Sequence, residues 1–150
     1  MPKYYSTKTY GNDRGFSCCF RQPAATHSHC SLLHGYSLGF RFVFESDRLD
    51  HRNWVWDFGN TGWIKEWLQE NFDHTTAVDF NDPHCQDLLD LQRNTGILRV
   101  VLLDGVGCER FAQHAYDFVA PRVEKDSFGR VRLRSVEVFE HGANSAIYEG

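Results

Sequence analysis

The chain has 150 residues, 41% hydrophobic and 15% aromatic, with four Trp and twelve Phe; this is enough to bury a core in one domain over 1–150 and excludes a disordered chain. A formal net charge of −4 offers no basic face to a phosphate backbone, so no nucleic-acid partner is expected. No window approaches the roughly eighteen apolar residues of a membrane span, so no membrane partner is expected either.

The opening MPKYYSTKTYGND is polar and lacks the apolar core of a secretory signal. Five cysteines, at 18, 19, 30, 85 and 108, make an odd number that suits free thiols in a reducing compartment, and a cytoplasmic location is expected. GFSCCFRQ (15–22) has the composition of a short buried strand. GYSLGFRFVFES (35–46) sets Leu38, Phe40, Phe42 and Phe44 alternately against Ser37, Gly39, Arg41 and Val43, the pattern of a half-buried strand. The two flank the loop ATHSHCSLLH like the arms of a hairpin.

WVWDF (54–58) is expected as another short strand. Asn60 or Thr61 can then cap a helix with Trp63, Ile64, Trp67 and Leu68 on one face, ending near Asn71. PHCQDLLDLQRNTG (83–96) predicts a short helix closed by Gly96, and ILRVVLLD (97–104) a strand. A second amphipathic helix is expected from Cys108 to about Val119, with Pro121 ending it. RVRLRSVEVFEHG (130–142) and NSAIYE (144–149) read as closing strands. This succession indicates an α+β fold with a largely antiparallel sheet.

Three histidines and a cysteine crowd the loop between the first two strands: His27, His29, Cys30 and His34. His27-x-His29 can aim two imidazoles to one side, and His34 can supply a third zinc ligand; the same spacing also suits a solvated loop. A neighbouring imidazolium or metal would raise the thiolate fraction of Cys30, although a lone cysteine is more readily a small hydrophobe. Asp73-His74 has the composition of an oriented base, but adjacent residues seldom hydrogen-bond each other, so a third group would have to complete a relay. Glu140 ends an alternating strand, where its carboxylate could accept two N–H donors of a heterocycle or stand in solvent. Cys18, Cys19, Trp54, Trp56, Trp63 and Trp67 are expected to be structural.

Taken together, Cys30-x-x-x-His34-Gly35-Tyr36, Trp56-Asp57-Phe58 before a helix, Phe72-Asp73-His74, Glu109 early in the second helix, and Glu140 followed by Ala146-Ile147-Tyr148 resemble the 6-pyruvoyl tetrahydropterin synthase family and its queuosine-pathway branch, 6-carboxytetrahydropterin synthase. The resemblance runs from about Phe16 to Glu149. It implies the tunnelling fold, or T-fold: an antiparallel sheet with two main helices on one face, closing into a barrel in a homohexamer built as a dimer of trimers, with sites between subunits. It implies a lyase acting on 7,8-dihydroneopterin triphosphate with Zn2+, a proton relay of Cys30, Asp73 and His74, and pterin contacts from Glu140 and Glu109. Related readings are the 6-pyruvoyl reaction, another pterin or purine-like substrate, or a metal-free module that binds a heterocycle without turnover.

The chain departs from the family where the metal is concerned. The family takes one zinc histidine from a phenylalanine-x-x-x-histidine step and two from His-Gly-His. Here the first step runs from Phe16 to Phe20, and the second reads His34-Gly35-Tyr36. His27, His29 and His34 are the expected replacement ligand set, with Tyr36 as an oxygen ligand or substrate contact, or loss of the metal, as the alternatives. Arg14, Arg21 and Arg41 are candidates for phosphate charge.

Overall fold

The structure is a computed structural model that describes residues 2–150. Among the described residues the strands are β1 (Tyr4–Tyr10), β2 (Phe16–Phe20), β3 (His34–Ser46), β4 (Thr75–Asp79), β5 (Val100–Leu103), β6 (Arg132–His141) and β7 (Asn144–Glu149). The helices are α1 (Gly62–Phe72), α2 (Cys85–Thr95) and α3 (Cys108–Asp126). The strands form one sheet in the order β5-β4-β2-β3-β6-β7, and β1 pairs with the distal half of β3.

β3 is the spine. Its even-numbered residues Leu38, Phe40, Phe42 and Phe44 are fully buried, as strict alternation demands of a strand with one covered face. Phe16, Cys18 and Phe20 of β2 join them, and Ile64, Leu68 and Phe72 of α1 with Phe111, Ala112, Ala115, Val119 and Val123 of α3 complete the core. Two main helices therefore cover one face, as expected. α2 stands apart beside β5, burying only Leu88, and the Gln92 carboxamide oxygen accepts the Val100 N–H at 2.6 Å.

Several expectations are corrected. The sheet is mixed: β2–β4 and β4–β5 are parallel, and the other pairings are antiparallel. WVWDF is not a strand. The Asp50 carboxylate accepts the N–H groups of Arg52 and Trp54 at 2.8 and 3.0 Å, and Asp57 accepts that of Gly59 at 2.8 Å, so side-chain oxygens wind the segment into turns. Trp56 instead stacks on Phe44, with ring centroids 5.5 Å apart. Thr61 precedes α1 without a side-chain cap, because its hydroxyl donates to the Phe58 carbonyl at 2.7 Å. Pro121 does not end α3, which continues to Asp126. It lies on the solvent side, where water can satisfy the carbonyl it frees one turn back. β1 and β4 were not expected. β1 alternates exposed with half-buried residues and so shows no apolar stripe.

Candidate functional site

The hairpin of β2 and β3 brings the chemistry-bearing loop to one end of the sheet. A 3-10 turn at His29–Ser31 starts at Ser28, whose hydroxyl oxygen accepts the Cys30 N–H at 3.2 Å. The Gln22 N–H donates to the Cys30 carbonyl at 2.9 Å, and Arg21 Nε to the Ser31 carbonyl at 2.6 Å. Cys30 is held half-buried by its own backbone.

Register explains what lies below it. Phe20 faces His34 across the ladder, and Cys18 faces Tyr36. Phe20, His34 and Tyr36 therefore point to the same side and meet as a triangle of rings, with centroids 5.1, 6.0 and 5.4 Å apart. These are the three positions where the resemblance puts zinc histidines, and one imidazole is present. The His34 Nδ1 lies 2.7 Å from the Leu32 carbonyl. A carbonyl only accepts, so Nδ1 carries the proton and Nε2 is left as a free acceptor. Phe20 also packs edge-on against Phe111 of α3 at 5.1 Å.

Around the Tyr36 hydroxyl the chain gathers its ionisable groups. Burial raises the phenol above its ordinary value, and the Glu140 carboxylate and the thiols of Cys30 and Cys108 add to that. These groups therefore share one electrostatic neighbourhood. Cys108 opens α3, and burial, followed by Glu140 and Glu109, pushes its thiol up to about 12. It stays protonated and neutral beside the two carboxylates. Cys108, Glu109 and Glu140 line one polar pocket of about 480 Å3 with Ala143, Asn144 and Ser145. Glu140 and Glu109, distant in sequence, are thus brought together. Cys108 was not expected there, and Tyr36, expected only as an oxygen ligand or substrate contact, lies in electrostatic reach of Glu140. Their only sequence signal is position, Cys108 beside Glu109 and Tyr36 two residues after His34.

Asp73 and His74 occupy a different place. Asp73 follows α1, and His74 takes the left-handed backbone conformation at φ 56°. That fold-back lets His74 Nδ1 approach Asp73 Oδ1 to 3.0 Å, a contact that adjacent residues were expected to make only seldom. The same oxygen accepts the Ser17 N–H at 3.1 Å. His74 is exposed and lines a depression with Ser17, Cys19, Tyr36, Ser37 and Arg99. No hydrogen bond within the chain joins this pair to Cys30 among the described residues.

His27 and His29 are exposed and His34 half-buried. Among the described residues no three His, Cys, Asp or Glu side chains are grouped to hold one metal ion. The replacement set His27, His29 and His34 is therefore not assembled within one chain, and the residues present do not fit zinc there. Arg21 is engaged by Asp82 and Ser31 and Arg41 lies 4.0 Å from Glu137. Arg14 shares a pocket with Lys8 and Lys65. No helix among the described residues is long and apolar enough to cross a membrane.

Comparison with known proteins agrees with this geometry. The family model of 6-pyruvoyl tetrahydropterin synthase matches residues 11–150. The 6-carboxy-5,6,7,8-tetrahydropterin synthase of Aquifex aeolicus is 29% identical over 143 residues, covering 94% of this chain and 85% of that protein. An uncharacterised protein of Wolinella succinogenes superposes with a TM-score of 0.80 at 21% identity, covering 100% of this chain and 99% of that one. The 6-pyruvoyl tetrahydropterin synthase of Plasmodium falciparum does so with a TM-score of 0.68 at 13% identity, covering 99% and 98%. The two superpositions establish the T-fold architecture. With the family model spanning both the Cys30 loop and the Glu140 pocket, the chain belongs to the 6-pyruvoyl tetrahydropterin synthase family.

Proposed function

We propose that the chain is a carbon–carbon and carbon–oxygen lyase that converts 7,8-dihydroneopterin triphosphate and water to 6-carboxy-5,6,7,8-tetrahydropterin, with triphosphate and acetaldehyde leaving, the reaction of the queuosine-pathway branch. The observation that carries this reading is the Glu140 carboxylate beside Glu109 in one polar pocket, in electrostatic reach of Tyr36 together with Cys30. The name of the Aquifex relative supports the 6-carboxy product over the 6-pyruvoyl one.

Glu140 accepts the amino and ring N–H groups of the pterin, a charge-assisted pair of hydrogen bonds that fixes the ring plane. Cys30 removes a proton from the substrate side chain as general base. The Cys108 thiol, held neutral at a value of about 12, does not compete for that proton. The Tyr36 phenol, raised by burial, remains a donor at neutral pH. Asp73 holds the proton on His74 Nδ1, so Nε2 exchanges the relayed proton. No hydrogen bond among the described residues of one chain joins this pair to Cys30, which supports a relay completed by a neighbouring subunit of a hexamer made of two trimers. The family's zinc has no assembled ligand set here, and no step above runs through it. That mismatch is the observation favouring the other reading, a heterocycle-binding module without turnover.

Incubation of the purified protein with 7,8-dihydroneopterin triphosphate, with and without a chelator, separates these readings by product mass. The 6-carboxy product is expected in the untreated sample. A 6-pyruvoyl product would reassign the reaction, and tight pterin binding without any product would leave the binding module.

A further inference from the structure

The segment between β4 and α2 reaches the Cys30 loop through one ion pair. Asp82 lies just beyond β4 and is 5% exposed. Its Oδ1 accepts from Arg21 Nη1 at 2.5 Å and from the His84 N–H at 2.9 Å. Its own N–H donates to the Asp79 carbonyl, and its carbonyl accepts the Cys85 N–H, each at 2.9 Å. The turn into α2 therefore places this carboxylate independently of Arg21. Arg21 leaves the end of β2 and sends Nε to the Ser31 carbonyl at 2.6 Å. One guanidinium thus ties a buried carboxylate from one segment to the backbone beside Cys30 in another. Gln22 adds a second clasp, donating its N–H to the Cys30 carbonyl and its carboxamide N–H to the Val106 carbonyl at 2.8 Å.

We infer that Asp82, acting through Arg21, is a latch that positions the Cys30 loop, and that bracing this loop is what the β4–α2 segment does for the site. Asp82 has no other cationic partner among the described residues, and a buried carboxylate left without one is strongly disfavoured. Arg21 consequently cannot swing away. Its rigid fork then transmits the fixed position of Asp82 to the Ser31 carbonyl, a coupling that the compact ammonium of a lysine does not reproduce. Asp82 and Arg21 are positioning residues; neither touches the pocket lined by Glu140. The effect on turnover rests on the reading of Cys30 as the general base, whereas the effect on the loop does not.

The test uses the full chain carrying Asp82→Asn or Arg21→Lys, and reads peptide-resolved cysteine alkylation, hydrogen exchange over residues 23–31 and steady-state kinetics. Asp82→Asn keeps size and the turn but removes the charge. Arg21→Lys keeps the charge pair but not the fork. In both, Cys30 is expected to alkylate about tenfold faster and the loop to exchange faster. Buried Cys18 and Cys108 stay protected, and kcat falls about tenfold or more with KM within a few-fold, as a displaced base predicts. Asp82→Glu is expected to recover part of the loss. Alkylation and exchange of the loop at wild-type rates in a variant that still protects Cys18 and Cys108 would overturn the latch. If Asp82→Asn exposes every cysteine, its fold is lost and Arg21→Lys decides. If the unsubstituted protein makes no pterin product, the reading of function fails, and alkylation with exchange decides the latch alone.

Discussion

Glu45 shows how far one side chain in this molecule departs from what its letter suggests. It is a glutamate 5% exposed on β3, bonded to Lys3 and approached by Arg134 at 3.6 Å and Arg132 at 3.9 Å. The Lys3 hydrogen bond outweighs burial, and the carboxyl sits below its ordinary value of 4.5. A depressed carboxyl contributes stability above the unfolded value and loses it as pH falls through the folded one. Melting temperature should therefore drop on acidification from about pH 5 to pH 3 more steeply in the wild type than in Glu45→Gln, the curves converging at the acid end. Parallel curves would remove Glu45 from the acid response. None of this was legible in the sequence, where Glu45 is one more charge in an alternating strand. The candidate site was more legible, because Cys30, Glu109 and Glu140 stand out as chemical types at family spacing, and Glu109 and Glu140 do line one pocket. What sequence could not supply was the contact of Asp73 with His74, which needs a left-handed backbone at a non-glycine residue, or the partnership of Arg21 with Asp82, which depends on packing between distant segments.

The elements were readable wherever burial writes a period into the chain. β3 is such a case, with four consecutive even positions at zero exposure. α2 is another, ending at Gly96 in the left-handed region at φ 66°, where glycine alone is free of strain. WVWDF failed as a strand because apolar letters do not reveal that Asp50 before it and Asp57 within it capture the backbone. α3 failed at its C-terminal end because a proline rule written for the helix interior is weakest on an exposed side. The element-scale prediction concerns that proline. Pro121→Ala restores a donor and relieves the clash with the preceding turn, and is expected to raise stability by about 1–3 kcal/mol, read as a higher urea midpoint at unchanged slope. A lower midpoint would mean that proline stiffens the unfolded chain by more than it weakens α3.

At the scale of the whole molecule, no hydrogen bond among the described residues of one chain joins Cys30 to the Asp73–His74 pair; Cys30 lies with Glu140 in electrostatic reach of Tyr36, and His74 lines a depression with Ser17, Cys19 and Arg99. If each site takes its thiol from one subunit and its imidazole from another, Cys30→Ala and His74→Ala proteins, each inactive alone, should recover about a quarter of wild-type turnover when co-assembled one to one. Continued inactivity of a verified mixed oligomer would place both groups in the same subunit's site. The sequence carried the hint of an oligomer only through resemblance, since a monomer's letters do not say which strand edges another copy will cover. The double-sided pairing of β3 has a consequence of another kind. One side joins β1 and β2, its close neighbours along the chain, but the other joins β6, with Gly39 opposite Phe139. The hydrophobic spine is therefore complete in the first third of a growing polypeptide and has to wait for the last fifth before its second edge is closed. Such distant pairing makes for slow refolding, on a scale of milliseconds to seconds. During synthesis it leaves an unsealed β3 edge to be shielded until α3 and β6 arrive.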